Sequence, residues 1–281
     1  MRRVAQVHAW RYLVQVIDHR PPSAGLSFVD ALAARGRATF TTDEAVATLG
    51  AGLKPAQGVL RRLRQRGEIA TPVRGFHVIV PPEYRSLGCR PAIQIVDALA
   101  AWLGTPYYVA LLSAAEIHGA AHQRPQRTQV MVPETRRPVR CGSVHIEFIA
   151  RENAADMPVV VKNTPTGTVR VATPEATALD LAGYPEHAGG LGNVATVLRE
   201  LAEELSPERL VATLPSSPAA WGQRLGHLLE VVGAAALADA IRPTVMRSPP
   251  GWVPLDPRSP RKGEYCAGWR LILNALVEPD E

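Results

Sequence analysis

The sequence has few cysteines, few aromatic residues and no long apolar run. Its three cysteines, Cys89, Cys141 and Cys266, are far apart and form no C-x-x-C pair. This spacing argues against a disulfide framework or a cysteine-rich zinc site and fits a reducing cytoplasm. The longest apolar stretches, such as Val231 to Ala238, are far shorter than the roughly 20 residues that cross a membrane. We therefore predict a cytoplasmic protein that has no membrane partner.

The sequence also lacks the motifs of several enzyme classes. It contains neither a G-x-x-x-x-G-K-[ST] phosphate loop nor a G-x-S-x-G nucleophile elbow. His118 and His122 have the i, i+4 spacing of zinc ligands on a helix, but no acidic residue completes an H-E-x-x-H motif and Gly119 follows at once. We therefore interpret His118 as a helix-end residue that makes its own hydrogen bond. We expect no catalytic residues, no metal and no cofactor, and hence no enzyme.

Positive charge is concentrated at the start of the chain. Residues 1–90 contain 14 Lys and Arg against 6 Asp and Glu, whereas residues 91–281 contain 17 basic and 20 acidic residues. An imbalance of this kind predicts a surface for a polyanion in the first third of the chain. With 281 residues, the chain is long enough for two domains.

Residues 25–85 show the pattern of a winged helix-turn-helix domain, in which three helices precede a two-stranded hairpin. Capping residues, a capping box and glycine turns mark the predicted ends of the helices, and apolar runs around a Pro-Val-Arg-Gly turn mark the strands. The predicted helices are Ser27 to Gly36, Thr41 to Gly50 and Pro55 to Gly67, and the predicted strands are Glu68 to Thr71 and Phe76 to Val80. Residues 1–24 are predicted to form an additional N-terminal helix or arm.

The third helix of this domain carries the predicted DNA-binding face. At helical spacing one side is apolar, with Leu53, Ala56, Val59, Leu60 and Leu63. The other side presents long donors that address guanine O6 and N7 and phosphates in a major groove, and a glycine that allows close approach. The predicted DNA-binding residues are Lys54, Gln57, Gly58, Arg61, Arg62, Arg64 and Gln65 on this helix, Thr41 and Thr42 at the start of the second helix, and Arg74 in the wing.

Residues 90–281 predict a second, larger domain of the α+β class. After two helical patterns, a series of strand patterns is followed by a run of helical patterns, an order typical of α+β domains. Thr173 is expected to cap a helix whose first residues, Pro174 and Glu175, suit its N-terminus. The predicted helices are Ile93 to Leu103, Val109 to His118, Thr173 to Leu181, Leu191 to Leu205 and Ala219 to Ile241, and the predicted strands are Gln129 to Val132, Val144 to Ile149, Val159 to Val161 and Val169 to Val171.

Several segments of the chain, across roughly residues 25–281, resemble the AbiE-type (AbiEi-like) antitoxins of type IV toxin–antitoxin systems. The segments that carry the resemblance are Arg74 to Val78, Tyr107 to Gly119, Thr173 to Leu181 and Arg224 to Glu230, and the Ile-His-Gly end of the second is the most specific. The resemblance implies a repressor that binds inverted repeats in the double-stranded DNA of its own promoter. It also implies a functional partner, a nucleotidyltransferase-like toxin, with which no stable complex is required. The C-terminal domain is associated with neutralisation of this toxin.

Four alternatives remain open on the sequence alone. In the first, the basic face of the third helix is only a solvated surface. In the second, the helix-turn-helix is a protein-binding module. A nucleic-acid-processing enzyme would need an acidic or His/Cys cluster within residues 90–281. A ligand-sensing regulator would need an apolar pocket with converging polar groups in the same region.

Overall fold

The computed structural model describes residues 24–120, 126–247 and 251–278. The predicted N-terminal helix or arm, residues 1–24, therefore lies outside the described residues except for Ala24. The described chain is a mixed α+β structure, in which N-terminal helices with a small sheet precede a larger α+β part, and this confirms the predicted fold class. Its helices are α1 Ala24–Ala34, α2 Thr42–Leu49, α3 Leu53–Gln65, α4 Val96–Leu103, α5 Leu111–Ile117, α6 Pro174–Gly183, α7 Leu191–Leu201, α8 Pro207–Thr213, α9 Ala219–Val231 and α10 Ala235–Val245. Its strands are β1 Thr39–Thr41, β2 Ile69–Val73, β3 Phe76–Ile79, β4 Tyr108–Val109, β5 Thr128–Val132, β6 Val139–Cys141, β7 Val144–Ala150, β8 Val159–Thr164, β9 Gly167–Ala172, β10 Val253–Pro254, β11 Glu264–Cys266 and β12 Leu271–Leu273.

The ends of α2 follow the predicted capping chemistry. The Thr41 hydroxyl accepts a hydrogen bond from the Glu44 amide at 3.1 Å, and the Glu44 carboxylate accepts one from the Thr41 amide at 2.7 Å. Gly50 ends the helix in the left-handed region, with φ at 58°, where a residue without Cβ is not strained.

The start of α1 differs from the prediction. The helix begins at Ala24, so Ser27 lies within its first turn and is not the N-cap. The earlier start places Gly25 against α3, where a Cβ would lie 2.5 Å from Val59 Cγ1. Close packing of the two helices therefore depends on a residue that the capping pattern placed outside the helix.

One face of the N-terminal sheet packs on helices α1 to α3. The strand order is β1-β3-β2, and both neighbours of β3 run antiparallel to it. Strand β1 was not predicted, because three residues are too few to show an alternating pattern. The buried residues of this first core are Phe28, Val29, Phe40, Ala45, Leu60, Leu63, Ile69 and Ile79.

The other face of the same sheet belongs to the core of the larger α+β part. Ala70, Phe76, Val78 and Val80 are buried together with Leu99, within the core cluster that also holds the central strands of that part. Strand β3 is therefore buried on both faces, which explains its almost continuous apolar run. An isolated fragment 25–85 would expose this second face to solvent.

The junction between the two parts is held by polar contacts as well. Arg90 Nε donates a hydrogen bond to the Ile79 carbonyl at 2.8 Å, and the Ser143 amide donates one to the Leu87 carbonyl at 2.8 Å. Cys89 and Cys141, far apart in the sequence, are both free and buried, and a hydrogen bond between their thiols, together with burial, raises the pKa of Cys89. The C-terminal end of the hairpin is thus fixed to the larger part.

The larger part is built on a mixed six-stranded sheet in the order β6-β7-β5-β4-β9-β8. Helices α5 to α10 form its helical layer, and Thr173 caps α6 as predicted, with Pro174 in the first position. The predicted helix Val109 to His118 begins as strand β4, and the predicted helix Ala219 to Ile241 is two helices separated at Gly233. Strand β6, helix α8 and the small sheet β10-β12-β11 were not predicted.

Candidate nucleic-acid interface

Helix α3 has one buried face and one basic face. Ala56, Leu60 and Leu63 are buried against α1 and α2, and Val59 packs against the same core. Leu53, which was predicted to be buried, is 52% exposed, because it is the first residue of the helix and lies beyond the part that the other helices cover.

The predicted DNA-binding side chains of α3 all lie on its open side. Gly58 is half-buried and approaches the Arg62 guanidinium, whereas the long polar side chains are exposed: Lys54, Gln57, Arg61, Arg62, Arg64 and Gln65. Among the residues that the structure describes, no ion pair holds Lys54, Arg61, Arg62 or Arg64. Arg37, by contrast, is paired with Glu44 at 2.9 Å. The cations of α3 thus keep their donors available for an external anion.

Thr41 and Thr42 are used differently from the α3 residues. The Thr41 hydroxyl caps α2, and the Thr42 hydroxyl lies 2.9 Å from His77 Nε2. Both hydroxyls therefore have partners within the protein. The first turn of α2 also carries two acidic residues, Asp43 and Glu44, which oppose the attraction of a helix N-terminus for an anion. Contact of Thr41 and Thr42 with DNA stays a prediction.

His77 connects the start of α2 to the hairpin, a role that the sequence did not indicate. Its ring is stacked on Phe40 with centroids 5.1 Å apart, and its nitrogens lie 2.9 Å from Thr42 Oγ1 and 3.0 Å from Thr71 Oγ1. A neutral imidazole has one donor and one acceptor, so it satisfies both hydroxyls. Burial lowers the pKa of His77 to about 4, and the positive charge of Arg64 acts in the same direction.

We expect the free energy of unfolding to fall when the pH decreases from 6.5 to 4, because His77 is protonated more easily in the unfolded chain than in the folded protein. The folded pKa of about 4 lies below the ordinary value of 6.5, so the unfolded chain binds the proton first and stability decreases as the pH falls from 6.5 to 4. Between pH 7.5 and pH 5 the wild-type protein should lose about 2 kcal/mol more than His77→Gln does. Urea unfolding of both proteins at the two pH values measures this difference, and other histidines cancel in the comparison. An equal loss in both would contradict a neutral, buried His77.

The turn of the hairpin is held from two sides. The Thr42 amide donates a hydrogen bond to the Gly75 carbonyl at 3.0 Å. On the other side Trp102 of α4 approaches so closely that a Cβ on Gly75 would lie 3.0 Å from its ring, and Phe76 stacks on the same ring with centroids 6.4 Å apart. Arg74 is exposed at this turn, so its guanidinium is available at a position that the fold fixes.

The larger part contains a buried charged cluster instead of an exposed one. Arg151 forms an ion pair with Asp180, the Tyr108 hydroxyl donates to Asp180 at 3.0 Å, and Arg151 lies over the Trp221 ring at 4.7 Å. Burial raises the pKa of Asp180 to about 6, and the opposing effects of Arg151 and Tyr108 limit this rise. Because Arg151 is 4% and Asp180 0% exposed, no substrate reaches the pair, and it joins β7, α6 and the start of α9 instead.

The other sequence candidates in this part have structural partners. His118 ends α5, and its Nε2 lies 2.7 Å from the Ala172 carbonyl oxygen, as a helix-end histidine was expected to do; His122 lies outside the described residues. Glu175 is buried and accepts hydrogen bonds from Arg209 Nε at 2.8 Å and from the Ser206 amide at 3.2 Å. Within residues 24–120, 126–247 and 251–278, no three His, Cys, Asp or Glu side chains are grouped so as to hold a metal ion.

One cavity of the larger part is open to solvent. It is a surface groove of about 520 Å³ between the end of α9 and the C-terminal residues 273–277, lined by both polar and apolar side chains such as His227, Lys262 and Leu276. It is not the enclosed apolar pocket that a ligand-sensing regulator would need. None of the helices in the described ranges is both long and apolar enough to span a bilayer.

Part of the larger α+β region is similar to a known family. Residues 108–231, from β4 to the end of α9, match the model of the AbiEi antitoxin C-terminal domain. This confirms the predicted resemblance over that span, which includes His118-Gly119 and the start of α6. The crystal structure of the RV2827C protein from Mycobacterium tuberculosis is similar with a TM-score of 0.65 and 21% identity, over 90% of this chain and 92% of that chain. At this identity the likeness shows a common fold. The search of curated proteins returned no match.

Proposed function

We propose that this chain is a type IV antitoxin that also represses its own operon, because residues 108–231 match the model of the AbiEi antitoxin C-terminal domain. In this proposal α1 to α3 and the β1-β3-β2 sheet form a winged helix-turn-helix that binds inverted repeats in promoter DNA. The antitoxin domain counteracts a nucleotidyltransferase-like toxin in the cytoplasm, without a need for a stable complex. The protein has no catalytic role.

The observation that carries the DNA-binding half is the unpaired basic face of α3. The helix has 13 residues, about 20 Å in length, and a B-DNA major groove of about 12 Å admits such a helix. Its buried side is anchored in the first core, while its exposed side holds four cations without an ion-pair partner among the described residues. A face that is only solvated needs no such concentration of charge, and the order helix, strand, helix, helix, hairpin is that of a winged helix.

Variants of α3 and the hairpin should separate base contacts from phosphate contacts. Gln57→Ala and Arg61→Ala, on the groove-facing side of α3, should each reduce the preference for promoter over random DNA by about 1–3 kcal/mol. Arg62→Ala and Arg74→Ala should weaken binding to both DNAs alike, because phosphate contacts carry no sequence information. Fluorescence anisotropy with full-length protein, at several salt concentrations, measures both quantities.

The matched control for these variants is Arg247→Ala, an exposed arginine after α10, which should change neither affinity nor preference. If all four interface variants lose the same affinity for both DNAs, the assignment of Gln57 and Arg61 to base edges is wrong. If none of them weakens binding, α3 is a solvated or protein-binding face.

The observation that carries the antitoxin half is the family match at residues 108–231. This span contains the central sheet from β4 to β9 and helices α5 to α9, and its charged centre is the enclosed Arg151–Asp180 pair. Because this ion pair is buried, it stabilises the fold and is not available to a substrate. Co-expression of the protein with the product of the neighbouring gene of its operon tests this half: growth should be restored by the antitoxin and not by an empty vector.

A further inference from the structure

The small C-terminal sheet presents two exposed aromatic rings in contact with each other. Trp252 is 38% and Tyr265 67% exposed, and their ring centroids are 4.8 Å apart with an interplanar angle of 81°. Aromatic residues make up only 5% of the sequence, and most of those described are buried or half-buried. An exposed pair of this kind is therefore a marked departure from the rest of the surface.

The rings stand on either side of the central strand β12. Tyr265 and Pro254, the latter two residues after Trp252, are both paired with Ile272. Successive strand residues point to opposite faces, so Glu264, the acidic neighbour of Tyr265, points away from the face that carries the rings. Glu264 lines the groove on the other side instead.

Two exposed arginines, Arg258 and Arg261, lie on the loop that joins β10 to β11. The Arg261 guanidinium donates a hydrogen bond to the Trp252 carbonyl at 2.7 Å, which leaves most of its five donors available. Lys262, by contrast, lines the groove on the other side together with Glu264. The carboxylate of Asp256, on the same loop, accepts hydrogen bonds from the Ser259 hydroxyl at 2.6 Å and from the Arg258 amide at 2.9 Å. This loop is basic although residues 91–281 as a whole have an acidic excess.

From this aromatic pair and its basic loop we infer a second nucleic-acid site, which binds single-stranded RNA or DNA. Unpaired bases stack on exposed aromatic side chains while neighbouring cations hold the phosphates, a combination that tolerates any base sequence. Bases of a duplex are stacked on each other and cannot use the rings. A protein partner would bury a continuous apolar patch, whereas the exposed residues of the loop between β10 and β11 are glycine, proline and basic residues.

The site is separate from the proposed DNA interface on α3, and its test is designed to keep the two apart. Full-length protein is titrated into labelled U12 RNA, T12 DNA and a 12-base-pair random duplex, in the background of Lys54→Ala/Arg61→Ala/Arg64→Ala. The single strands should still bind in this background and quench tryptophan emission, and the quench should be lost in Trp252→Phe. The RNA and DNA arms report whether the 2′-hydroxyl contributes.

Tyr265→Ala should weaken single-strand binding by about tenfold, the scale of one stacked base, and Tyr265→Phe should retain it because the ring remains. Arg258→Gln/Arg261→Gln should reduce the salt dependence by about one to two counterions, while the equally charged control Arg137→Gln/Arg247→Gln should not. Circular dichroism and thermal melting confirm that each variant is folded. Any of three results would overturn the inference: no binding of single strands, loss of binding when the α3 residues are substituted, or unchanged binding by folded Tyr265→Ala. The first of these results would leave an acidic protein as the partner of this loop.

Discussion

Replacement of Lys54, Arg61 and Arg64 together by alanine is expected to abolish repression of the promoter and to leave protection against the toxin intact. The three side chains are exposed on α3, and loss of contacts worth about 1–3 kcal/mol each should lower promoter affinity by more than about a hundredfold. Alanine is the best helix former, and none of the three residues lies in either core, so the antitoxin domain should remain folded. A promoter–reporter assay and a toxin-rescue assay on the same strains measure the two activities.

The matched control for this triple variant is Arg85→Ala/Arg137→Ala/Arg247→Ala, which removes the same charge from exposed positions outside α3. It should repress and protect like the wild type. A triple α3 variant that is folded and equally abundant, yet fails to protect, would mean that neutralisation requires DNA binding. The two activities would then not be separable along the chain.

Arg151→Met is expected to produce the largest loss of stability, about 3–5 kcal/mol. The substitution leaves the Asp180 carboxylate without its guanidinium partner at a position that is 0% exposed, while methionine retains apolar contact with Trp221. Because proteins unfold with a total free energy of about 5–15 kcal/mol, this loss is a large fraction of the stability of the protein. Protection against the toxin should therefore be lost at growth temperature, because the ion pair joins β7 to α6 within residues 108–231.

The double variant Arg151→Met/Asp180→Asn should be more stable than the single variant. Asparagine removes the buried charge and still offers an oxygen to the Tyr108 hydroxyl, which donates to Asp180 at 3.0 Å in the wild type. Urea unfolding followed by circular dichroism compares the two, and rescue of toxin-expressing cells should return with the second substitution. If the double variant is no more stable than the single one, the cost comes from lost packing and from the bonds of Arg151 to Ser216 and Ser217, not from the unpaired charge.

The features that the sequence predicted well depend on residues close together in the chain. The capping box of Thr41 and Glu44, the left-handed Gly50 and the Thr173-Pro174 helix start join residues three or four positions apart. The two faces of α3 follow from helical spacing alone, and only Leu53 at its end departs from the pattern. The assignment of its basic face to DNA stays a prediction.

The features that the sequence missed depend on partners far along the chain or on very short elements. Strands of two or three residues, such as β1 and β4, show no periodicity, and an apolar run around Val109 fits a helix as well as a strand. His77 was noted only as part of a strand, although its two hydroxyl partners lie 35 and 6 residues away. Glu175 was explained by the helix dipole alone, whereas Arg209 supplies an ion pair at 2.8 Å.

The amino-acid sequence by itself determined the three helices and the hairpin of the first third, the amphipathic and basic character of α3, and the resemblance to the AbiEi antitoxins, which the family match supports over residues 108–231. Only the tertiary structure decided that β3 is buried on both faces and joins two cores, that Cys89 meets Cys141 and Arg151 meets Asp180, and that Trp252 and Tyr265 form one exposed pair. The physical reason is that capping and periodicity act over one or two turns of the chain. The other contacts arise when segments far apart in sequence bury a common surface, and no local pattern reports which segments those are.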